Sequence, residues 1–187
     1  MHHHTLIIGG TGMLKDASVT LASSTHVLTS VARTKRSLEA LDKALTDFPG
    51  KHHLLQLDWD DRGTFLDSLA AHIKEVGAPD VVVAWLHDDS LGPEVARVCA
   101  LSSGHCDFFQ VRGSSAAAPH REAEELAKQF KPLSTVTLHQ IILGFITTPS
   151  GSRWLRNGEI SQGVLGATQS KAPISIVGVV EPWSARP

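Results

Sequence analysis

A short apolar run, Thr5-Leu6-Ile7-Ile8, passes directly into Gly9-Gly10-Thr11-Gly12-Met13-Leu14-Lys15. A strand, a glycine-rich turn and the opening of a helix follow one another with no spacer. Glycine permits the tight turn and lets backbone N–H groups approach a pyrophosphate, and a helix N-terminus adds orphan donors and a favourable dipole. A purely steric turn is the alternative reading. Its place after the first strand, at the head of an alternating chain, favours a dinucleotide held by Gly9, Gly10, Thr11, Gly12, Met13 and Leu14. The third position of the Gly9-x-x-Gly12-x-x-(Gly) spacing is Lys15, where a glycine would allow close helix–strand packing. Lys15 either snorkels outward or reaches toward a phosphate.

Strand-like and helix-like segments alternate from there on. Residues 13–23 read as a helix and Val27 to Val31 as a strand. Ser37 to Leu45 has the helical period, with Ser37 placed to cap it. His53 to Leu57 is a third strand. Phe65, Leu69, Ile73 and Val76 mark one face of a helix that Gly77 can end. Asp80 to Leu86 is a β-branched run suited to burial on both faces of a parallel sheet. Helices over Pro93 to Leu101 and Pro119 to Phe130 flank a strand over Phe108 to Val111, each proline placed at a first helical position. Val136 to Ile146 reads as one long strand, Thr147–Arg156 as a short connection, Asn157 as a helix start and Ile174 to Val180 as the last strand. This βα order predicts a single α/β doubly wound (Rossmann) domain with a seven-stranded parallel sheet flanked by helices. No composition break divides residues 1–187, and residues 181–187 read as a proline-rich tail.

Composition narrows the partners. Hydrophobic residues make up 42% of the chain and charged ones 19%, which suits a globular domain. A formal net charge of -2 gives no electrostatic reason to expect nucleic acid or an anionic membrane surface. Cys99 and Cys106 are too few for a disulfide framework or a zinc site, so a reducing cytoplasm is expected. No apolar stretch approaches the roughly 18 residues of a membrane span. His2, His3 and His4 stand too near the start to count as a metal site, and none is expected elsewhere.

The end of the second strand selects among nucleotides. An NAD site usually places a carboxylate there for the ribose 2′-hydroxyl. This chain reads Val31-Ala32-Arg33-Thr34-Lys35-Arg36, cationic and without a carboxylate. Arg33 can pair bidentately with a 2′-phosphate, assisted by Thr34 and by Lys35 or Arg36, which favours NADP over NAD. A solvated basic loop is the plainer alternative.

With these residues in view, the chain resembles the short-chain dehydrogenase/reductase superfamily, and within it the small, atypical bacterial members. The resemblance rests on the Gly9–Leu14 turn, Ala32-Arg33, Leu57-Asp58-Trp59-Asp60 and Gly113-Ser114-Ser115, and covers most of residues 5–146. It implies that Asp58 and Trp59 lie along the adenine. It implies that Ala84-Trp85-Leu86-His87 stands where the family has an Asn-Ala-Gly turn beside the cofactor ribose. It places Gly113 at the cofactor and Ser114 near the family's catalytic serine.

The resemblance fails where the chemistry should be. The family moves a proton with a tyrosine and a lysine four residues later, and this chain has no tyrosine. Ala116 to Glu122 occupies the corresponding stretch. Histidine is the reasonable substitute donor because its free pKa lies nearest neutrality. His87, at the carboxyl edge of the fourth strand, is the first candidate, and Ser114 a contact for the nicotinamide end. His139 either faces a pocket or is a satisfied, partly buried residue. Asp88 and Asp89 are most simply turn residues, although they could raise the basicity of His87. Trp154 and Trp183 are expected in the core, although Ser152 to Leu155 could instead cover the cofactor site or pack on a second subunit. Two functions stay open: an oxidoreductase on an unknown small-molecule substrate with a non-standard proton donor, and a non-catalytic dinucleotide-binding sensor or scaffold. A homo-oligomer is compatible with both.

Overall fold

Seven strands build the central sheet: β1 (His2–Ile8), β2 (Thr25–Ala32), β3 (Lys51–Gln56), β4 (Val81–Trp85), β5 (Cys106–Gly113), β6 (Val136–Leu143) and, after a small hairpin, β9 (Ile174–Val177). The structure, a computed structural model, describes residues 2–100, 104–113 and 119–187. The hairpin consists of β7 (Phe145–Thr148) and β8 (Gly151–Trp154). Among the described residues there are six α-helices: α1 (Lys15–Ala22), α2 (Lys35–Ala44), α3 (Arg62–Val76), α4 (Leu91–Cys99), α5 (Pro119–Phe130) and α6 (Asn157–Ser170). The sheet runs β3-β2-β1-β4-β5-β6-β9 with every neighbouring pair parallel. Its order therefore reverses between β1 and β4, the place where open α/β sheets bind ligands beyond their carboxyl ends.

Alternation along the strands divides the core into two layers. Leu6 and Ile8 of β1 join Val82, Phe108, Phe65, Leu69 and Val95 on one face. Ile7 joins Val83, Phe109, Leu14, Ala17, Leu41 and Val164 on the other. With both faces covered, the central strand β4 is apolar throughout, as the Asp80–Leu86 run anticipated.

Several local expectations change. Thr34, not Ser37, is the residue before α2, and Ser37 lies in its first turn with its hydroxyl donating to the Thr34 carbonyl at 2.9 Å. Pro93 is the third residue of α4 rather than the first, still within the turn whose N–H groups have no helical acceptor. Leu101, the expected end of that helix, lies outside the described residues. The expected strand over Val136–Ile146 stops at Leu143, because the sheet is left at Gly144. A side chain there would collide with the Val179 carbonyl, and only glycine lets the two backbones meet. The chain then turns into the hairpin, which replaces the expected plain connection. Phe145 and Val179 exchange backbone hydrogen bonds of 2.9 and 2.8 Å, tying hairpin to tail. Trp154 and Trp183 are 49% and 43% exposed, so neither takes the core role expected of it.

The amino edge of the sheet is closed by polar side chains that satisfy one another. His2, His3 and His4 are the first half of β1, and His4 is fully buried. Its Nδ1 lies 2.8 Å from the Gly77 carbonyl and its Nε2 2.9 Å from the Thr29 hydroxyl, which also meets His72 Nε2 at 2.9 Å. Burial pushes the His4 imidazole down to about 4, opposed in part by the Gly77 carbonyl. Nearby, Asp107 is bonded to Lys171 at 2.6 Å, His139 at 3.2 Å and His105 at 3.3 Å. Burial alone would raise this carboxyl; its three partners outweigh that and hold it below the usual range. Cys99 and Cys106 are free and buried, with burial pushing the Cys106 thiol up to about 12. Among the described residues no group of side chains could hold a metal, and no helix is long and apolar enough to cross a membrane.

Candidate functional site

The carboxyl edge is built differently. Gly9 follows β1 at φ 76°, a conformation that favours glycine, and a Cβ there would lie 2.8 Å from the Trp85 carbonyl at the end of β4. Gly10 is buried, and a Cβ on it would come within 2.5 Å of Ile7 and Ser18. The Ser18 hydroxyl donates to the Gly10 carbonyl at 2.9 Å. Close helix–strand packing is thus served by Gly10 against Ser18, and the absence of glycine at Lys15 is accommodated. Gly12 is the opposite case: an added Cβ meets no atom within 4 Å. The N–H groups of Thr11, Gly12 and Met13 pair with no acceptor among the described residues. The Met13 carbonyl is fixed by the Ser161 hydroxyl of α6 at 3.0 Å.

Gly9, Thr11, Gly12 and Met13 form one wall of a cleft of about 410 Å³. Ala32, Arg33, Thr34, Ser37 and Trp59 form the far wall, with Trp85 and His87 along the third side. Arg33 lies over the Trp59 ring, 5.2 Å from its centre, and 3.4 Å from Asp60. Both members of that ion pair are substantially exposed, so the pair adds little stability and yields readily to a stronger anion. His87 is exposed and meets the Trp85 ring edge-on, with ring centres 6.1 Å apart.

The loop bearing His87 is held from behind. Buried Arg112 donates from Nε to Asp89 at 2.7 Å and from Nη1 to Gln140 at 3.2 Å, and lies 3.4 Å from Glu122. Asp88 accepts from the Ser90 N–H at 2.9 Å and lies 3.6 Å from Arg62. The Ser90 contacts, chiefly, depress its carboxyl pKa. Both aspartates are loop anchors rather than partners of His87.

A second cleft, of about 310 Å³, continues past Met13 and Trp85, which line both. Gly113, Leu143, Gly144, Trp154, Leu155, Ile160 and Arg186 complete it. Arg153 of β8 forms a two-point pair with Glu159 of α6 at 2.8 Å and 2.8 Å, fastening the hairpin wall. Pairing with Arg153, and then the Arg156 N–H, holds the Glu159 carboxyl down to about 2.

Of the expected site residues, Gly9, Thr11, Gly12, Met13, Arg33, Thr34, Trp59, Trp85 and His87 meet around the first cleft, and Gly113 lines the second. Gly10, Leu14 and Ala84 are buried and pack inside the fold. Asp58 and Arg36 are exposed and line neither cleft, with Asp58 accepting from its own loop at the Asp60 N–H. His139 is buried and occupied at both ring nitrogens, by the Ala172 carbonyl and Asp107. Ser114 and residues 116–118 lie outside the described residues. The second cleft's Leu143, Gly144, Ile160 and Arg186 carry no local motif; Met13, Trp85 and Gly113 are expected from the cofactor reading, and Trp154 and Leu155 as a possible cover.

Solved structures resemble the whole chain. An alcohol dehydrogenase from Comamonas testosteroni, specific for bulky-bulky ketones, aligns over 97% of this chain and 89% of its own at 13% identity, with a TM-score of 0.73. The fold is that of the short-chain dehydrogenases/reductases. A short-chain dehydrogenase from Sphingobium yanoikuyae, solved with NADPH, covers 98% of this chain and 91% of its own at 15% identity and a TM-score of 0.71. A metagenomic short-chain oxidoreductase, solved with NADP, covers 95% and 96% at 11% identity and a TM-score of 0.66. No protein-family model and no curated protein sequence matches the chain. The short-chain dehydrogenase/reductase likeness is thus one of backbone architecture, and the chemistry has to be argued from this chain's own side chains.

Proposed function

We propose that the chain binds NADP(H) in the crevice between β1 and β4. The observation that supports this best is one cleft bringing together the open flank of Gly12 and the Arg33–Trp59 stack. The residues present fit a dinucleotide. Turn N–H groups and the α1 N-terminus suit the diphosphate, the Trp59 side of the cleft suits an adenine, and Arg33 with Thr34 suits a 2′-phosphate. A nicotinamide cofactor, when bound, gives a hydride to a carbonyl carbon or takes one from an alcohol. In the oxidoreductase reading His87 is the candidate proton carrier, from a loop positioned by Asp89 and Arg112. The sensor reading draws on a different observation. The chain has no tyrosine, and Arg186 is the one ionisable side chain among the described residues lining the second cleft.

Fluorescence titration with NADPH and NADH tests the binding. NADPH is expected to bind more tightly, and Arg33→Ala to narrow the difference by about 1.5–3 kcal/mol, the range for a charge-assisted hydrogen bond. A preference for NADH, or one unchanged in Arg33→Ala, would overturn the assignment. A carbonyl-reduction screen then separates the two readings: NADPH consumption that His87→Ala abolishes supports the oxidoreductase, and tight binding without consumption supports the sensor.

A further inference from the structure

Helix α6 and strand β9 together form a face unlike the rest of the surface. From Ile160 to Val180 the chain carries a single charged residue, Lys171, and that side chain is bonded to Asp107 at 2.6 Å. Half of the ten residues of α2, by contrast, are charged. Depletion of charge marks the core of a protein–protein interface against the surface around it. The outer side of α6 consists of Gln162, Gly166 and Gln169, all exposed. Gly163, on the inner side, makes room for Val177, but a Cβ on Gly166 would meet no atom within 4 Å. A glycine inside a helix weakens it, and one with an open flank suits the close approach of a second backbone.

Strand β9 is an edge strand, paired to β6 alone. The Gln140 N–H donates to the Pro173 carbonyl and the Gly144 N–H to the Val177 carbonyl, so residues 173, 175 and 177 turn their backbone toward β6. Ile174 and Ile176 turn theirs outward, where their N–H and C=O groups find no partner among the described residues. The two residues are 39% and 41% exposed. An edge of this kind invites another strand, and proteins usually guard it with charge. The opposite edge is guarded, since β3 presents Lys51, His52 and His53. The β9 edge is not.

We propose that a second copy of this chain pairs with β9 across a twofold axis, strand antiparallel to strand, with the two α6 helices packed side by side. The occupant is a copy because the face complements itself. An axis through Ser175 sets Ile174 opposite the copy's Ile176 and pairs every outward N–H and C=O of both residues. Moving the axis to Ile176 would oppose Ile174 to Gly178, whose φ of 78° departs from a strand. Lys171 stands at one end of the edge and Glu181 at the other, so reversal of the copy brings opposite charges toward each other at both ends. A twofold contact closes on itself and gives a dimer rather than a fibre. Nothing in this pairing depends on bound nucleotide.

Sedimentation equilibrium of the full chain is expected to give a dimer in the micromolar range. Ile176→Lys, which charges the edge, and Gly166→Arg, which fills the open flank, should each raise the dimer dissociation constant by roughly tenfold or more, the scale of a central interface residue. Leu54→Lys, on the β3 edge, should leave it unchanged. At Ser175 the facing Cα atoms would stand about 4.5 Å apart, within disulfide reach. Ser175→Cys should therefore give a covalent dimer on a non-reducing gel after mild oxidation, while Cys99 and Cys106 stay buried. Circular dichroism checks that each variant is folded, and if Ile176→Lys is not, Gly166→Arg decides. A monomer throughout the micromolar range would overturn the proposal. So would a dimer that survives the folded edge and helix variants, or one that Ser175→Cys fails to lock, since either puts the contact elsewhere.

Discussion

The two ends of the sheet solve opposite problems with similar groups. At the amino edge, His4, Thr29 and His72 are bonded to one another, and Asp107 is surrounded by Lys171, His139 and His105. At the carboxyl edge, the N–H groups of Thr11, Gly12 and Met13 have no protein acceptor among the described residues, and Arg33 holds only an exposed ion pair. Polar groups that bond one another serve stability; polar groups that converge on a cleft without doing so are placed for a ligand. Changes at one edge should therefore move stability, and changes at the other should move binding.

The largest expected effect is at Gly12. Because a Cβ there meets nothing, Gly12→Val should fold with an unchanged melting temperature and lose detectable NADPH binding by fluorescence titration. Retained affinity in the folded variant would move the nucleotide elsewhere and erase the contrast between the edges.

The amino edge should respond to acid instead. The His4 pKa in the fold, about 4, lies below its ordinary 6.5, so the unfolded chain takes up the proton first. The associated stability is complete above pH 6.5 and is lost as pH falls toward 4, by up to about 3 kcal/mol. Urea midpoints measured between pH 7 and 4.5 should fall accordingly, and His4→Gln should flatten that dependence without altering NADPH affinity at pH 7. A flat profile in the unmodified protein would break the closed-edge account.

The smallest expected effect sharpens the carboxyl edge. Arg36 is exposed and outside the cleft lining, unlike Arg33 three residues before it. Arg36→Ala should change NADPH affinity by less than about 0.5 kcal/mol, the scale of an exposed charge. A loss as large as that of Arg33→Ala would widen the 2′-phosphate site to the whole basic loop.

The sequence disclosed the edge with a motif better than the edge without one. Strand β1, the glycine turn and the cationic end of β2 are local patterns, and βα alternation predicts the parallel sheet around them. The hairpin is not legible locally because the strand-like pattern of Val136–Ile146 runs on past Gly144, whose role depends on the distant Val179 carbonyl. The burial of His4 likewise depends on Thr29 and Gly77, which no spacing connects to it. Arg186 became a cleft residue only through the fold that brings the tail beside β8. Lys15 departs from the fixed spacing of the turn motif, while the packing that the spacing concerns is made by Gly10 and Ser18.

The position of β1 also sets when the crevice can exist during synthesis. Its residues precede those of the other strands, yet one of its two neighbours is β4, with Thr5 opposite Val81 and Ile8 opposite Ala84. A nascent chain that ends within α3 contains β1, β2 and β3 and still lacks Trp85, which walls the cleft across from the glycine turn. Pairing so distant along the chain is slow, because loop closure precedes any gain from contact. If the cleft holds the proposed nucleotide, affinity is expected only once the two arms of the sheet have joined.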